Sequence, residues 1–444
     1  MRDLLIISIV LAGSIAALRQ PWIGVLLWTW LSIMNPHRYS WGIAYDAPLA
    51  AIAAVSTFIG LLAYKNKESP FISSSVVWFA IFCCWVTISW LAGLATEGDY
   101  WQWNKVMKIN LMIFVALAVI RSKAQIMLLT WVAVGSLAIL GIKGGIFTII
   151  NGGNYRVWGP PGSFIEDNNE FALALVMTIP LLRFLQLQAH QRWLKSALVA
   201  AMVLCAASAL GSQSRGALIA IVAMAVFFWL KGKNKLPIGL LLVIVGVILI
   251  TFMPDQWTQR MNTINTYEED RSALGRISAW WTAWNLAWHY PAGVGFNVAR
   301  ADLFALYSPY PDMVHAAHSI YFQVLGNHGF IGLFIFLAIW ITTWRNASWL
   351  LAQAPKYPEA KWCVDIANMM QVTLVAYAVG GAFLSLAYFD LPYNVMTIVA
   401  VTRLWVQRQA WRSEPETVPK WLIYIGGSLI KTLGKKNPVK VGAT

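Results

Sequence analysis

Residues 124–149 read AQIMLLTWVAVGSLAILGIKGGIFTI, and the only charged side chain among them is Lys143. A helix needs about 20 predominantly apolar residues to cross a bilayer, so this stretch reads as one transmembrane span. Further apolar runs lie at 4–18, 21–35, 48–64, 75–95, 106–120, 171–187, 196–210, 217–230, 237–253, 320–343, 366–388 and 394–407. Of the 444 residues, 59% are hydrophobic and 12% charged, against about 25% charged in a soluble domain. The expected fold is an all-α polytopic membrane protein, one membrane domain over 1–444 with about twelve transmembrane helices.

The net charge of +14 belongs to loops on one side of the membrane and does not point to nucleic acid. One alternate set of loops carries Lys65 and Lys67, Arg121 and Lys123, Arg192 and Lys195, Lys231, Lys233 and Lys235, then Arg345, Lys356 and Lys361. With the basic tail at 409–444 it is expected in the cytoplasm. The other set, 96–104, 151–170, 211–216, 254–319 and 389–393, is expected outside. Lys105 and Lys108 run against this rule. Thirteen runs put the start of the chain outside, whereas twelve spans would place both ends inside; the sequence leaves both open. Leu4 to Leu18 has the length of a signal peptide. Asp3 directly after Arg2, and a second run from Pro21, favour a retained first helix. Cys83, Cys84, Cys205 and Cys363 read as small hydrophobes.

The outer loops carry the chemistry. Residues 254–319 hold Arg260, Arg271, Arg276 and Arg300 and no Lys. The planar guanidinium offers two parallel donors to phosphate and stays charged beside a membrane. Gly275–His289 is expected to be a helix. Arg276, Trp280, Trp284 and Trp288 would share a face, with Trp281 beside them, and the helix would lie in the outer interface. Pairing of these arginines with Glu268, Glu269 and Asp270 on a solvated surface is the structural alternative. Arg215 lies in the tight polar turn Ser212-Gln213-Ser214-Arg215-Gly216. Arg156 opens a Pro/Gly-rich loop that leads to Asp167-Asn168-Asn169-Glu170, where Asp167 or Asn168 also suits a helix N-cap. Lys143 is a charge at membrane depth, which points to function, with snorkelling to the interface as the competing role.

His315 and His318 stand three residues apart, but no Cys cluster or zincin helix accompanies them, so no metal site is expected. His318, where the long loop meets the next span, is a candidate general base. A purely structural, hydrogen-bonded histidine is the alternative. Gly326, Gly329 and Gly332 would allow close helix packing. The chain has no Walker A loop, no dinucleotide fingerprint and no Asp-x-Asp pair.

Three features occur in order: Ser214-Arg215-Gly216 between spans, Gly275-Arg276 and Gly293-Val294-Gly295 in the long loop, and His318 with its trailing glycines. Together they resemble the O-antigen ligase and polymerase superfamily over nearly the whole chain. Asn35-Pro36-His37-Arg38, Lys143-Gly144-Gly145 and Phe389-Asp390-Leu391-Pro392 are similar to the exosortase-associated O-glycosylation ligase branch. Ser319 departs from the Asn common after the histidine. The resemblance implies a membrane glycosyltransferase (GT-C) fold with periplasmic elements over a helical bundle in the bacterial inner membrane. It implies a donor glycan on undecaprenyl diphosphate and, as acceptor, a sugar of the lipid A core or another glycan. His318 would act as base. Arg215, Arg276, Arg156 and Lys143 would hold the diphosphate without metal or cofactor, supported by Arg271, Asp167, Asn168 and Asn169. An O-antigen polymerase or a protein O-oligosaccharyltransferase would use the same donor. A lipid-glycan transporter would instead need repeated halves and paired intramembrane charges, which the sequence lacks.

Overall fold

The structure, a computed structural model, describes residues 2–94, 98–232, 235–251, 253–254, 257 and 271–413. Arg260, Glu268, Glu269, Asp270, the Arg271 side chain and the tail beyond Ser413 lie outside the described residues. The described elements are helical: α1 (Arg2–Arg19), α2 (Pro21–Met34), α3 (Leu49–Ala63), α4 (Ser74–Leu91), α5 (Asp99–Val119), α6 (Lys123–Ile150), α7 (Asn168–Gln188), α8 (Arg192–Gly211), α9 (Arg215–Lys231), α10 (Lys235–Thr251), α11 (Arg271–His289), α12 (Ala301–Tyr307), α13 (Ile320–Gln353), α14 (Lys361–Gly381) and α15 (Asp390–Gln407). Six of them, α4, α6, α7, α8, α13 and α14, are long and apolar enough to cross a membrane. The chain is an α-helical membrane protein.

Helix limits follow local chemistry. At α6, Ser122 Oγ accepts from the Gln125 N–H at 3.2 Å while Gln125 Oε1 accepts from the Ser122 N–H at 3.1 Å, a capping box. The run expected over 366–388 stops as a helix at Gly381. Residues 382–389 leave the helix as an irregular strap that reaches the site.

Between apolar helices in lipid, association rests on close packing more than on water exclusion. Accordingly, small residues line the contacts. A Cβ on Gly145 would stand 2.2 Å from the Leu204 carbonyl, and one on Gly144 would stand 2.2 Å from Ser208 Oγ. The two glycines after Lys143 therefore let α6 and α8 touch. Of the six long helices α7 is the most enclosed, 78% buried against 39% for α4, so residues at its first turn are set by neighbours on several sides.

α13 is broken. Gly329 has φ 68° and ψ −173°, a backbone conformation that only glycine adopts without strain. A Cβ there would meet the Pro291 carbonyl at 2.1 Å. Into this break docks the Gly293-Val294-Gly295 segment, where the N–H groups of Val294 and Gly295 donate to the Asn327 carbonyl at 3.0 and 3.1 Å. Gly329 thus admits a chain crossing, beyond the helix packing expected of the glycine series. Beside the break His328 is fully buried. Its Nδ1 lies 2.5 Å from Ser89 Oγ and its Nε2 lies 2.7 Å from the Tyr388 hydroxyl, which also accepts from Asn327 Nδ2 at 2.9 Å. Both ring nitrogens are satisfied, as burial demands.

At the start of α1, Asp3 Oδ1 accepts from the Gly42 and Ala44 N–H groups, each at 3.1 Å. The start of α1 and the segment between α2 and α3 therefore share one face of the bundle.

Candidate functional site

His318 immediately precedes the N-cap of α13 and has φ 41°. The left-handed region is sparsely populated by side-chain-bearing residues, and such strain collects at functional sites. Its Nδ1 lies 3.4 Å from Oε1 of Glu170, a buried carboxylate in the first turn of α7. The same oxygen accepts from the Ser385 N–H at 3.2 Å. Gln323, on the first turn of α13, accepts from the Ala387 N–H at 3.3 Å, and Tyr388 reaches His328. The 382–389 strap thus grips both helices that carry the His318–Glu170 pair.

The three residues before Glu170 hold the frame. Asp167 caps α7, its Oδ1 accepting from the Asn169 N–H and side-chain amide at 2.8 Å each. Burial would raise the Asp167 pKa. Hydrogen bonds with Glu170 and Asn169, and the charge of His318, outweigh it and hold the carboxyl below its ordinary value. Asn168 Nδ2 donates to the Ser212 carbonyl at 2.7 Å, which ties α7 to the turn between α8 and α9.

That turn carries Arg215. Ser214 Oγ accepts from the Ala217 N–H at 3.2 Å and caps α9. Arg156 Nε donates to Gln213 Oε1 at 3.5 Å, and Gln213 Nε2 donates to the Gly153 carbonyl at 3.2 Å. Arg156 and Arg215 therefore belong to one junction. It abuts the strap, since a Cβ on Gly216 would stand 3.1 Å from that of Phe383. The first turns of α7, α9 and α13 gather here, and helix N-termini favour anions.

From the other side α11 folds back onto the start of α13. Trp280 Nε1 donates to the Ala317 carbonyl at 2.7 Å, and its ring stacks on Phe322 at 5.1 Å. A Cβ on Gly275 would stand 2.9 Å from the His315 ring, whose centroid lies 5.1 Å from that of His318. Arg276 follows Gly275 at this contact. Trp280, Trp284 and Trp288 share the face of α11 that meets the aromatic rings of α13, as their four-residue spacing predicts. Trp280 is half-buried, and Trp284 and Trp288 stand edge-on against Phe330 with part of each ring exposed, while Trp281 beside them is also exposed.

Lys143 is placed elsewhere. Its Nζ lies 4.7 Å over the ring of Tyr39, in the 3-10 turn Pro36–Tyr39 that follows α2. Arg271 opens α11, and its side chain lies outside the described residues. Among the described residues no three His, Cys, Asp or Glu side chains are grouped to hold a metal ion.

Sequence reasoning had not singled out Glu170 as a site residue. An acidic residue at the start of an otherwise apolar run was its one signal. Its partner is remote in the chain, so only folding pairs them.

Residues 1–190, which include Glu170, match a family of unknown function (DUF5935). No curated protein matches the chain. Residues 200–337, which include Arg215, Arg276 and His318, match the family described as O-Antigen ligase. Over these residues the chain is similar to the O-antigen ligase family, which supports a glycosyltransferase-like enzyme.

Proposed function

We propose that this protein is an O-antigen ligase of the bacterial inner membrane, with its site on the periplasmic side. It would transfer a glycan from undecaprenyl diphosphate to a sugar hydroxyl of the lipid A core. The observation that carries this assignment is the His318–Glu170 pair beside the junction of Arg156 and Arg215. Glu170 facing Nδ1 favours the tautomer with its proton there, which leaves Nε2 to accept the acceptor hydroxyl's proton. The hydroxyl oxygen bonds to the anomeric carbon as the bond from that carbon to the diphosphate oxygen breaks. Negative charge grows on the leaving diphosphate, where Arg156, Arg215 and Arg276 stabilise it.

Topology supports an outward site. Along the chain the lysine- and arginine-rich loops alternate with the loops that carry Arg156, Arg215 and His318, which supports a cytoplasmic side for the former and an outward side for the latter. Asp3 is bonded to the 42–44 segment, and Arg38 of the same connection approaches Gly162 in the 156–167 loop; this supports a start of α1 on the side of the site, and thirteen passages over twelve.

The test is incubation of the purified protein with lipid-linked glycan and lipid A core, reading carrier diphosphate release and product. Replacing His318 by Ala should reduce turnover by about 10² to 10⁴ with donor binding retained. Near-normal turnover in His318→Ala would remove the imidazole from the mechanism. Absence of glycan transfer by the unaltered protein, with donor and acceptor both bound, would overturn the assignment.

A further inference from the structure

A second group of cations lies outside the transfer site, entirely within the 1–190 segment. Lys105, on α5, donates through Nζ to the Gly162 carbonyl at 3.2 Å and lies 4.1 Å from the Phe164 ring. Arg38 reaches the same glycine, its Nε 3.8 Å from where a Cβ on Gly162 would stand. Tyr39, next to Arg38, carries Lys143 on its ring at 4.7 Å. Lys108 lies one turn beyond Lys105, and both are exposed. The loop that begins at Arg156 and ends at Asp167 thus has the transfer site at its two ends and these cations at its middle.

Three carboxylates face the group. Asp46 stands 3.9 Å from Arg38 and is 90% exposed. Glu166 faces Lys105 and accepts from the Gly162 N–H at 2.8 Å. Asp390 also faces Lys105 but is buried and accepts from Ser32 at 2.9 Å. Lys108 and Lys143 make no ion pair with a described residue. Lys143 lies about 10 Å before the end of α6, and Lys105 and Lys108 lie about 9 and 13 Å beyond the start of α5, by helix rise. Ammonium groups at that depth are retained where an anion or a polar path offsets the cost. The surface around them is apolar: Trp101 and Leu111 on α5, and Ile146 and Ile150 on α6, are exposed. A ligand that satisfies both surfaces is an amphiphile with an anionic head.

We propose that Arg38, Lys105, Lys108 and Lys143 form a headgroup site for a phosphorylated lipid of the outer leaflet, and that it holds the acceptor glycolipid. Lys143 thereby leaves the diphosphate set and joins this second site. The acceptor role rests on the transfer function proposed above, whereas the binding of phosphorylated lipid does not. A transferase with two membrane-anchored substrates needs two places for phosphate. This one would give the 1–190 segment its task.

The test uses the full-length protein in phosphatidylcholine nanodiscs, with dioleoyl phosphatidic acid, uncharged dioleoylglycerol and inorganic phosphate as probes. Phosphatidic acid should bind at least about tenfold more tightly than dioleoylglycerol, and Lys108→Gln/Lys143→Gln should lose about tenfold, since each basic residue near the surface contributes about one kT or more. Lys108 makes no hydrogen bond or ion pair with a described residue, so the single variant Lys108→Gln guards against misfolding and should lose part of the same binding. Equal binding by the unaltered protein and both lysine variants would overturn the site. Competition by inorganic phosphate at equal concentration would assign it to a soluble anion instead of a lipid, which also overturns it. In the transfer assay the lysine variants should raise KM for the acceptor and leave KM for the donor unchanged. Lost lipid binding with both KM values intact would overturn the acceptor role. Failure of transfer by the unaltered protein, with phosphatidic acid still bound, would count against the transfer function and not against the site.

Discussion

Glu170 Oε1 lies 3.4 Å from His318 Nδ1, and this contact joins the start of α7 to the start of α13. It also joins the two segments that match different families. A buried carboxylate facing one imidazole nitrogen can orient the ring and stabilise the imidazolium that forms on proton transfer. Glu170→Gln keeps the shape and removes the charge. It should lower kcat by about 10 to 10² with donor binding unchanged, as read from single-turnover kinetics beside a binding assay. Unchanged kcat would restrict Glu170 to a structural role.

Arg215→Lys and Arg276→Lys each keep the charge and lose the planar pair of donors. Turnover should fall about tenfold or more in each, because a two-point contact with a developing phosphate charge is worth more than a point charge. Transfer should persist in a chelator. Loss on chelation with recovery on a divalent ion would assign the leaving-group charge to a metal.

Gly329→Ala introduces a Cβ 2.1 Å from the Pro291 carbonyl, at φ 68°. Backbone strain of this kind costs about 1 to 3 kcal/mol before any displacement of the 291–295 segment. The variant should melt at a clearly lower temperature in detergent, followed by tryptophan fluorescence. Gly135→Ala, where nothing stands within 4 Å of the new methyl, is the control and should melt as the unaltered protein does.

Asp167 caps α7 as a carboxylate whose pKa is held below the ordinary value. A depressed folded-state pKa stabilises the fold above the unfolded pKa, and that stabilisation is lost as pH falls through the folded value. Asp167→Ala should therefore cost about 1 kcal/mol at neutral pH. The difference from the unaltered protein should shrink below about pH 4. Melting curves of both proteins across that range are the measurement, and a difference that stays constant with pH would remove the charge from the cap.

Single Cys probes at Asp46, Thr263 and Tyr307 should label from the periplasm in intact cells, and probes at Lys233 and Lys356 only after permeabilisation. Labelling at Asp46 opposite to that at Tyr307 would separate the start of the chain from the site face. Reversal of all five would place the site where a flipped donor cannot reach it.

The amino-acid sequence by itself determined the membrane class and the helices. The apolar runs at 124–149 and 171–187 became α6 and α7 almost residue for residue, because a backbone in lipid must satisfy its hydrogen bonds within each segment. The order of Ser214-Arg215-Gly216, Gly275-Arg276 and His318 also carried the resemblance to the family that residues 200–337 match. Tertiary structure alone decided which of these groups meet. Glu170 and His318 are joined because the 382–389 strap leaves α14 early and grips both their helices. Trp280, Trp284 and Trp288 meet Phe322 and Phe330 because α11 folds back along α13. Lys143 went to Tyr39 and not to the junction of Arg156 and Arg215, since Gly144 and Gly145 hold α6 against α8 and fix where the residue before them can point. Such pairings depend on contacts between helices remote in the chain, and no local pattern of residues encodes them.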